Sequence, residues 1–168
     1  MEDDMGTGYE FECKKCKKEY CALPGVGMMY PSVYQEALKD IKNGKYGSEL
    51  QQIMNSGEYI AVNAENAIYV CRSCKHWKSD LNLSLYSPND VEAIRTKQYG
   101  IKTVEEWGYV PYVIEYMLKE EYRLIKVFVH KCEKCGKRMH KAKDVEIENL
   151  PCPDCGTENS ANSRIMFD

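Results

Sequence analysis

The sequence lacks any long apolar run, and this excludes a helix that spans a membrane. No stretch of its 168 residues approaches the roughly 20 consecutive apolar side chains that cross a bilayer. A signal-peptide pattern is also missing, because the chain opens with the acidic stretch Met-Glu-Asp-Asp. We therefore expect a cytoplasmic protein with no membrane partner. In that reducing compartment, paired cysteines are expected to be metal ligands rather than disulfides.

The sequence also lacks the residue sets of the common enzyme classes. It contains no evident Ser/His/Asp set, paired-carboxylate site or nucleotide motif. The glycine loop Pro24–Pro31 leads into a predicted helix, where free backbone N–H groups could cradle an anion. That loop has neither the Lys-Ser/Thr of a phosphate loop nor the glycine pattern of a dinucleotide site. We therefore expect a tight connection there, and we favour a protein that is not an enzyme.

Cysteine, by contrast, is abundant and regularly spaced. Eight of the nine cysteines form four Cys-x-x-Cys pairs. The two-residue spacer directs both sulfurs of a pair at one ion, and two pairs supply the four thiolates of a structural zinc site. The sequence therefore predicts two Zn²⁺ ions, held by Cys13, Cys16, Cys71, Cys74, Cys132, Cys135, Cys152 and Cys155.

Spacing predicts which cysteine pairs combine. The third and fourth pairs, 132/135 and 152/155, have the spacing C-x2-C-x16-C-x2-C, which is typical of a zinc site. By elimination, the first and second pairs, 13/16 and 71/74, would close a second site around 54 intervening residues. Loop-closure entropy rises only slowly with length, so such an insertion is tolerable.

Around the C-terminal pairs, the stretch His130–Gly156 resembles a rubredoxin-like zinc ribbon through its Cys-Glu-Lys-Cys-Gly and Pro-Cys-Pro-Asp-Cys-Gly motifs. The whole chain is similar to uncharacterised bacterial proteins with two zinc ribbons. In this family each Cys-x-x-Cys pair lies in a tight turn, which we call a knuckle, and the four knuckles are numbered in chain order. The resemblance implies that Gly136 and Gly156 belong to such turns, and that the C-terminal site is able to hold iron in place of zinc. The N-terminal knuckles depart from the family pattern, with Lys17 and Lys75 where the glycine would be.

Residue patterns in the first half of the chain predict a β ribbon with a helical insertion. Strands are expected at Tyr9–Cys13 and Glu19–Leu23, on either side of the first knuckle. A four-residue apolar repeat predicts a helix over 31–43, and a Ser-x-x-Gln capping box predicts the start of a second helix over 48–56.

Two β-rich runs, Tyr59–Val62 and Ala67–Cys71, flank a polar turn and are expected to form a hairpin that delivers the second knuckle. Alternating leucines from Leu81 to Leu85 then predict a half-buried strand.

The second half is predicted to begin with a capped helix over Asp90–Arg95 and a short turn over Thr103–Trp107. Tyr112–Leu118 fits a strand or a helix, and we favour a strand because Tyr122–His130 alternates and could pair with it. Aromatic residues concentrate here, at Tyr99, Trp107, Tyr109, Tyr112 and Tyr116.

These aromatic rings suit a docking surface for a peptide or for unstacked bases. A chain with 13 tyrosines and only three phenylalanines must, however, bury some tyrosine. We therefore expect the rings to form a small core between the ribbons.

Together these elements predict an α+β fold of two small β zinc ribbons. The first ribbon would span 1–87, with its helical insertion at about 31–56 between the two knuckles. An aromatic-rich connecting region over 88–121 would join it to a C-terminal rubredoxin-like ribbon over 122–168.

Charge gives a weaker indication of the partner. The formal net charge of −3 would become about −7 with two zinc ions on eight thiolates, because ligating cysteines lose their protons. Lysines cluster around the first and third knuckles, and acidic residues follow closely in the C-terminal ribbon. We interpret the lysines as offsetting the anionic sites, and expect a protein partner, with nucleic acid disfavoured by net charge.

Four further residues could contribute chemistry: His76, His130, His140 and Cys21. The paired cysteines already fill two tetrahedra, so the histidines are expected at the surface or around the ligands. Cys21 is expected to be a small buried side chain rather than a reactive thiol.

The preferred interpretation is a binding module, in which structural zinc supports contact with a protein or a nucleic acid. A rubredoxin-like iron protein for electron transfer is one alternative. A thiol redox enzyme that uses a Cys-x-x-Cys pair is the other.

Overall fold

The structure is a computed structural model, and it describes residues 6–100 and 110–167. None of the helices in this part of the chain is both long and apolar enough to cross a membrane. In chain order the elements are β1 (Gly6–Glu12), β2 (Glu19–Ala22), α1 (Tyr30–Lys42), α2 (Ser48–Ser56), β3 (Ala61–Val62), β4 (Asn66–Val70), β5 (Trp77–Leu81), β6 (Leu85–Pro88), α3 (Val91–Tyr99), α4 (Glu115–Glu121), β7 (Tyr122–Lys126), β8 (His140–Lys141), α5 (Asp144–Ile147) and β9 (Ser163–Phe167).

The chain divides into two compact units, and both are discontinuous in sequence. The first unit contains the described residues up to Gly27, Asn66–Leu81 and the residues from Val129 onward. The second contains Met28–Glu65 and the described part of Asn82–Phe128. The mixture of helices with small antiparallel sheets confirms an α+β fold. The three predicted regions, 1–87, 88–121 and 122–168, are by contrast each continuous in sequence.

The first unit is built on two antiparallel sheets, with strand orders β2-β1-β9 and β5-β4-β8. Strand β1 buries Tyr9 and Phe11 and exposes Glu10 and Glu12, as the period-two alternation of a half-buried strand requires. The two strands predicted around the first knuckle are thereby confirmed. The C-terminal strand β9 pairs with the other edge of β1.

The two sheets of the first unit share one hydrophobic core. It contains Tyr9 and Phe11 of β1, Ile68 of β4, and Leu150. Phe11 stacks on Tyr20 with ring centroids 4.7 Å apart, and the Tyr20 hydroxyl donates to the Leu150 carbonyl at 2.7 Å. The arrangement of two separate ribbons joined by an aromatic middle is therefore not confirmed.

The second unit begins with the two predicted helices. In α1 the apolar repeat buries Tyr34, Leu38 and Ile41, and Pro31 occupies the first turn, where its missing N–H costs no hydrogen bond. The prediction of a capping box at α2 is wrong, because Gly47 occupies the N-cap without a side-chain hydrogen bond. The amide of Gln51 donates instead to the carbonyl of Lys42, at 3.0 Å.

The sheet of the second unit has the order β3-β6-β7. The predicted hairpin of Tyr59–Val62 with Ala67–Cys71 is wrong, because β3 pairs with β6 whereas β4 pairs with β5 in the first unit. The predicted strand over Leu81–Leu85 is interrupted at Leu83, whose φ of 63° lies in the left-handed region. This break lets Leu81 end β5 in one unit and Leu85 start β6 in the other.

In the region 88–121, the Asp90 carboxylate accepts a hydrogen bond from the Ala93 N–H at 3.1 Å and caps α3, as predicted. The strand favoured over Tyr112–Leu118 is wrong, because this stretch enters helix α4. In this helix Leu118 is buried and the opposite face is exposed. So short a segment fits the period of a strand as well as that of a helix. The turn predicted over Thr103–Trp107 lies outside the described residues.

The aromatic side chains of this region divide between core and surface. Tyr99 is buried, whereas Tyr112 and Tyr116 are exposed. Trp107 and Tyr109 lie outside the described residues. The expectation that these rings form a common core is therefore wrong for Tyr112 and Tyr116.

The Tyr20 hydroxyl gives a test of the shared core of the first unit. It donates to the Leu150 carbonyl and accepts from the Asn159 amide at 3.1 Å. Substitution Tyr20→Phe keeps the ring and removes one hydrogen bond from each partner, so we expect a loss of about 1–3 kcal/mol in the free energy of unfolding. Denaturant titration measures it. The exposed control Tyr116→Phe should change stability by less than about 0.5 kcal/mol, and an equal effect of the two substitutions would contradict the prediction.

Candidate metal centres

The eight paired cysteines form two groups of four sulfurs, both in the first unit. The outer group contains Cys13, Cys16, Cys152 and Cys155, and the inner group contains Cys71, Cys74, Cys132 and Cys135. Within each group all four sulfur atoms lie within 4.8 Å of one another. The groups are nested along the sequence, because the first pair meets the last and the second meets the third.

The sulfur separations fit a tetrahedral metal site. In the outer group Cys13 Sγ lies 3.5 Å from Cys155 Sγ, and Cys16 Sγ lies 3.6 Å from Cys152 Sγ. The corresponding distances in the inner group are 3.5 and 3.4 Å. Four sulfurs at about 2.3 Å from one zinc ion stand about 3.8 Å apart, whereas a disulfide requires about 2.05 Å. The groups therefore have the size and composition of tetrathiolate sites.

The predicted pairing of the four knuckles is wrong. Sequence spacing predicted that 132/135 and 152/155 form one site. In the structure they belong to different groups. Strand β8 pairs with β4, opposite Tyr69 and Val70, and so brings the third knuckle to the second. Strand β9 pairs with β1, and so returns the end of the chain to the first knuckle. Strand register, which the local spacing does not encode, decides the partners.

All four knuckles use the same backbone turn. In each, the N–H of the first cysteine donates to the carbonyl five residues later, and the N–H four residues later donates back to the first cysteine's carbonyl. In the first knuckle these bonds run from Cys13 to Lys18 at 2.8 Å and from Lys17 to Cys13 at 2.9 Å. The other three knuckles repeat both bonds at 2.8–2.9 Å. The turn aims both sulfurs of each pair to one side.

This turn requires a left-handed backbone at the residue after the second cysteine. Gly136 and Gly156 have φ angles of 72° and 73°, and glycine adopts them without steric cost. Lys17 and Lys75 adopt the same conformation at 65° and 64°. Lysine in place of glycine at the N-terminal knuckles therefore raises the conformational energy of the turn but leaves its backbone geometry unchanged.

Burial alternates within each pair. The first cysteine of every pair is buried and the second is exposed. In the inner group Cys71 and Cys132 pack in a cluster with Tyr69 and Met139. Each knuckle is therefore anchored in the core through its first cysteine, while its tip faces solvent.

The electrostatic environment of the outer sulfurs favours some thiolates and opposes others. A hydrogen bond from the Cys16 backbone N–H is the main cause that lowers the pKa of Cys13 to about 5. At Cys16 the Lys18 backbone N–H favours the thiolate, but desolvation and hydrogen bonding to the neighbouring sulfurs outweigh it and raise the pKa to about 12. Four thiolates so close together need a cation, and a bound divalent ion would replace the remaining protons.

The inner sulfurs show the same division. The Cys74 backbone N–H is the main cause that lowers the pKa of Cys71 to about 6. At Cys74 a backbone hydrogen bond from His76 favours the thiolate, but the bond to the Cys132 sulfur and desolvation raise the pKa to about 11. The N-terminal pairs of the two groups, 13/16 and 71/74, therefore behave alike.

Asn159 is a residue of the outer site that the sequence analysis missed. Its buried side chain accepts from the Lys14 backbone N–H at 3.1 Å and donates to the Tyr20 hydroxyl and to the Thr157 carbonyl. It thus ties the first knuckle to the fourth. A lone asparagine three residues after a knuckle glycine gives no sequence signal for this role, because Lys14 and Tyr20 lie 145 and 139 residues away.

The three histidines and Cys21 belong to neither sulfur group. Among the described residues neither group includes a histidine, as expected. His130 is buried and stacks on Tyr69 at 3.6 Å between ring centroids, and His140 hydrogen-bonds to Glu146 at 2.6 Å. Cys21 is exposed, so the prediction that it is a buried side chain is wrong.

Comparisons with models of protein families, with curated proteins and with solved structures find no match to this chain. The resemblance to a rubredoxin-like ribbon over His130–Gly156 also loses its basis in ligand pairing, because the third and fourth knuckles belong to different groups. What remains is the geometry of two groups of four cysteines.

The left-handed lysines generate a stability prediction. Lys17→Gly relieves a conformation that costs an L-residue about 1–2 kcal/mol, and this exceeds the glycine entropy cost of about 0.5–1 kcal/mol. We expect the free energy of unfolding to rise by up to about 1 kcal/mol. Lys14→Gly, at an exposed knuckle position without positive φ, should instead lower it.

The reverse substitution Gly136→Ala should cost about 1 kcal/mol through φ alone, because no atom lies within 4 Å of the added Cβ. Denaturant unfolding of the metal-loaded protein measures all three variants. Equal destabilisation by Lys17→Gly and Lys14→Gly would show that the left-handed turn carries no strain.

Proposed function

We propose that this protein is a binding module built around two structural zinc ions. One ion is held by the outer group of cysteines and the other by the inner group. The zinc sites fix the first unit and the exposed turns it presents, and the protein acts by contact with a partner rather than by catalysis.

The observation that carries the structural role is the sequence distance that each group closes. Sulfurs that meet in the outer group are 136 and 142 residues apart, and those in the inner group are 58 and 64 residues apart. Holding such remote segments together removes much conformational freedom from the unfolded chain, and an ion bound only by the folded state stabilises that state.

The ligand set supports a structural role over a catalytic one. Four thiolates complete the tetrahedron of zinc, whereas catalytic zinc keeps a position for water or substrate. With the coordination shell filled, the ion offers no site for a reacting group. What the knuckles offer instead is their exposed tips, whose backbone is held by paired hydrogen bonds. A preorganised turn binds a partner at a low entropy cost.

Two other functions make different predictions for the same sulfurs. A rubredoxin-like protein would hold iron and show visible thiolate-to-iron absorption. A thiol redox enzyme would keep at least one Cys-x-x-Cys pair free to react in the native state. Stoichiometric zinc, no visible absorption and a single reactive thiol at the exposed Cys21 would together exclude both.

Paired substitutions test the sites and their nested pairing. With ligands 13/16/152/155 and 71/74/132/135, the double variant Cys13→Ser, Cys152→Ser damages one site and should retain one zinc per chain. The variant Cys13→Ser, Cys71→Ser damages both sites and should retain none. Elemental analysis after removal of free metal measures the zinc-to-protein ratio.

Cys21→Ser is the control and should keep two zinc ions, because its sulfur belongs to neither group. The pairing expected from sequence spacing makes the opposite forecast for the two double variants. Fewer than two zinc ions in the folded unsubstituted protein would contradict the proposed structural role.

A further inference from the structure

Positive charge is concentrated around the inner group. The stretches 71–76 and 131–141, which form and flank its two knuckles, contain a single acidic residue, Glu133. Seven basic side chains in these stretches are exposed, and together we call them the inner basic surface: Arg72, Lys75, Lys131, Lys134, Lys137, Arg138 and Lys141. Glu133 contributes −1 and a zinc tetrathiolate would contribute about −2, which leaves the two stretches at about +4.

The nested pairing creates this concentration. If the third and fourth knuckles formed one site, as their spacing predicts, acidic residues near the fourth knuckle would balance the lysines of the third. The structure assigns the fourth knuckle to the outer group, where Asp154 forms an ion pair with Lys18 at 2.8 Å. Within the described part of the chain, none of the seven residues of the inner basic surface lies within ion-pair distance of a carboxylate. Arg72 has Glu146 as an electrostatic neighbour, and that carboxylate hydrogen-bonds to His140.

A matched pair of positions shows that neutralising the metal site does not explain these charges. Lys131 and Arg138 face each other across the third knuckle in an antiparallel bridge. The equivalent positions of the first knuckle, one residue before its first cysteine and six after it, are Glu12 and Glu19, which also face each other. The two sites would carry the same tetrathiolate charge. The outer site has two carboxylates at the positions where the inner site has two cations.

Like charges placed directly opposite on a strand pair are destabilising. The pairs Lys131–Arg138 and Glu12–Glu19 therefore both work against folding, and at the inner site a bound anion would offset the repulsion.

The character of the inner basic surface favours nucleic acid over the other anionic partners. Protein interfaces centre on exposed apolar or aromatic side chains, and membrane-surface binding needs an apolar face beside the cations. Within the described stretches 71–76 and 131–141, the one large apolar side chain, Met139, is buried, and the exposed Val129 and Val145 lie outside these stretches. A cationic surface without an apolar centre suits the sugar-phosphate backbone, where binding comes from the release of counterions.

We propose that the inner group presents its basic surface to the phosphate backbone of a nucleic acid. This inference rests on the proposed binding function and names its partner class. It reverses the expectation drawn from net charge, because a total of −3 conceals a local excess of positive charge. Contacts to phosphates carry no sequence information, so we expect weak dependence on base sequence.

Fluorescence anisotropy of the zinc-loaded full chain with a fluorescein-labelled 20-base-pair DNA duplex of mixed sequence provides the test. With about four phosphates neutralised, the affinity should fall about 150-fold between 50 and 200 mM KCl. A matched single-stranded oligonucleotide should show a shallower salt dependence, because single strands release fewer counterions per phosphate.

The variant Lys131→Glu, Arg138→Glu copies the charges of Glu12 and Glu19 onto the inner site. It should bind the duplex at least tenfold more weakly at 50 mM KCl, with a salt slope shallower by about 2. The control Lys14→Glu, Lys15→Glu makes the same change in net charge at exposed positions of the outer knuckle, and should change affinity less than threefold. Both variants should retain two zinc ions.

The outcomes separate this inference from the function on which it rests. A chain that holds two zinc ions but does not bind duplex at 50 mM KCl would overturn the nucleic-acid inference alone. Equal losses in the inner and outer variants would overturn the assigned location. Equal or tighter binding of poly-glutamate, or of vesicles rich in phosphatidylserine, at matched charge concentration would overturn the choice of nucleic acid. A folded chain without zinc would overturn the structural role itself.

Discussion

Four sulfurs can stand within 4.8 Å of one another only if the segments that carry them lie side by side, and in this chain those segments are far apart in sequence. The inner group needs β8 beside β4, and the outer group needs the end of the chain returned to β1. The core of the first unit forms between the same elements, with Tyr20 and Trp77 donating hydrogen bonds to the carbonyls of Leu150 and Pro151. Sulfur clustering and apolar packing thus stabilise one arrangement of the same strands.

The four knuckles share a backbone conformation more closely than they share a sequence. All four turns make the same two hydrogen bonds and place a left-handed residue at the same position. Glycine at Gly136 and Gly156 adopts that conformation freely, whereas Lys17 adopts it at a cost. The turn therefore forms at Lys17 and Lys75 against a local conformational preference of about 1–2 kcal/mol.

Nesting of the knuckles also distributes charge. Because the second and third knuckles meet, Arg72 and Lys75 join the cations of the third knuckle on one surface. Because the first and fourth knuckles meet, Lys18 forms an ion pair with Asp154. The electrostatic character of each site is therefore a property of the pairing and cannot be read from charge along the chain. Two sites with the same ligands can consequently present different surfaces to a partner.

Local patterns could predict the elements whose stabilising contacts lie close in sequence. The apolar repeat of α1, the Asp90 cap of α3 and the strands around the first knuckle were all predictable, since each depends on residues within a few positions of one another. The Leu81–Leu85 alternation misled, because Leu83 breaks the strand where the chain passes between units. Helix α4 was missed because a short half-exposed segment fits both periods.

The eight cysteines that form the two sulfur groups could be recognised from the sequence alone. A Cys-x-x-Cys pair is complete within four residues, and its chemistry follows from its own turn. Which pairs meet could not be read from the sequence, because it depends on strand register between segments at least 58 residues apart. Spacing favours the nearest pair in sequence, where loop closure costs least. The strand pairing of β4 with β8 and of β1 with β9 selects the more distant ones.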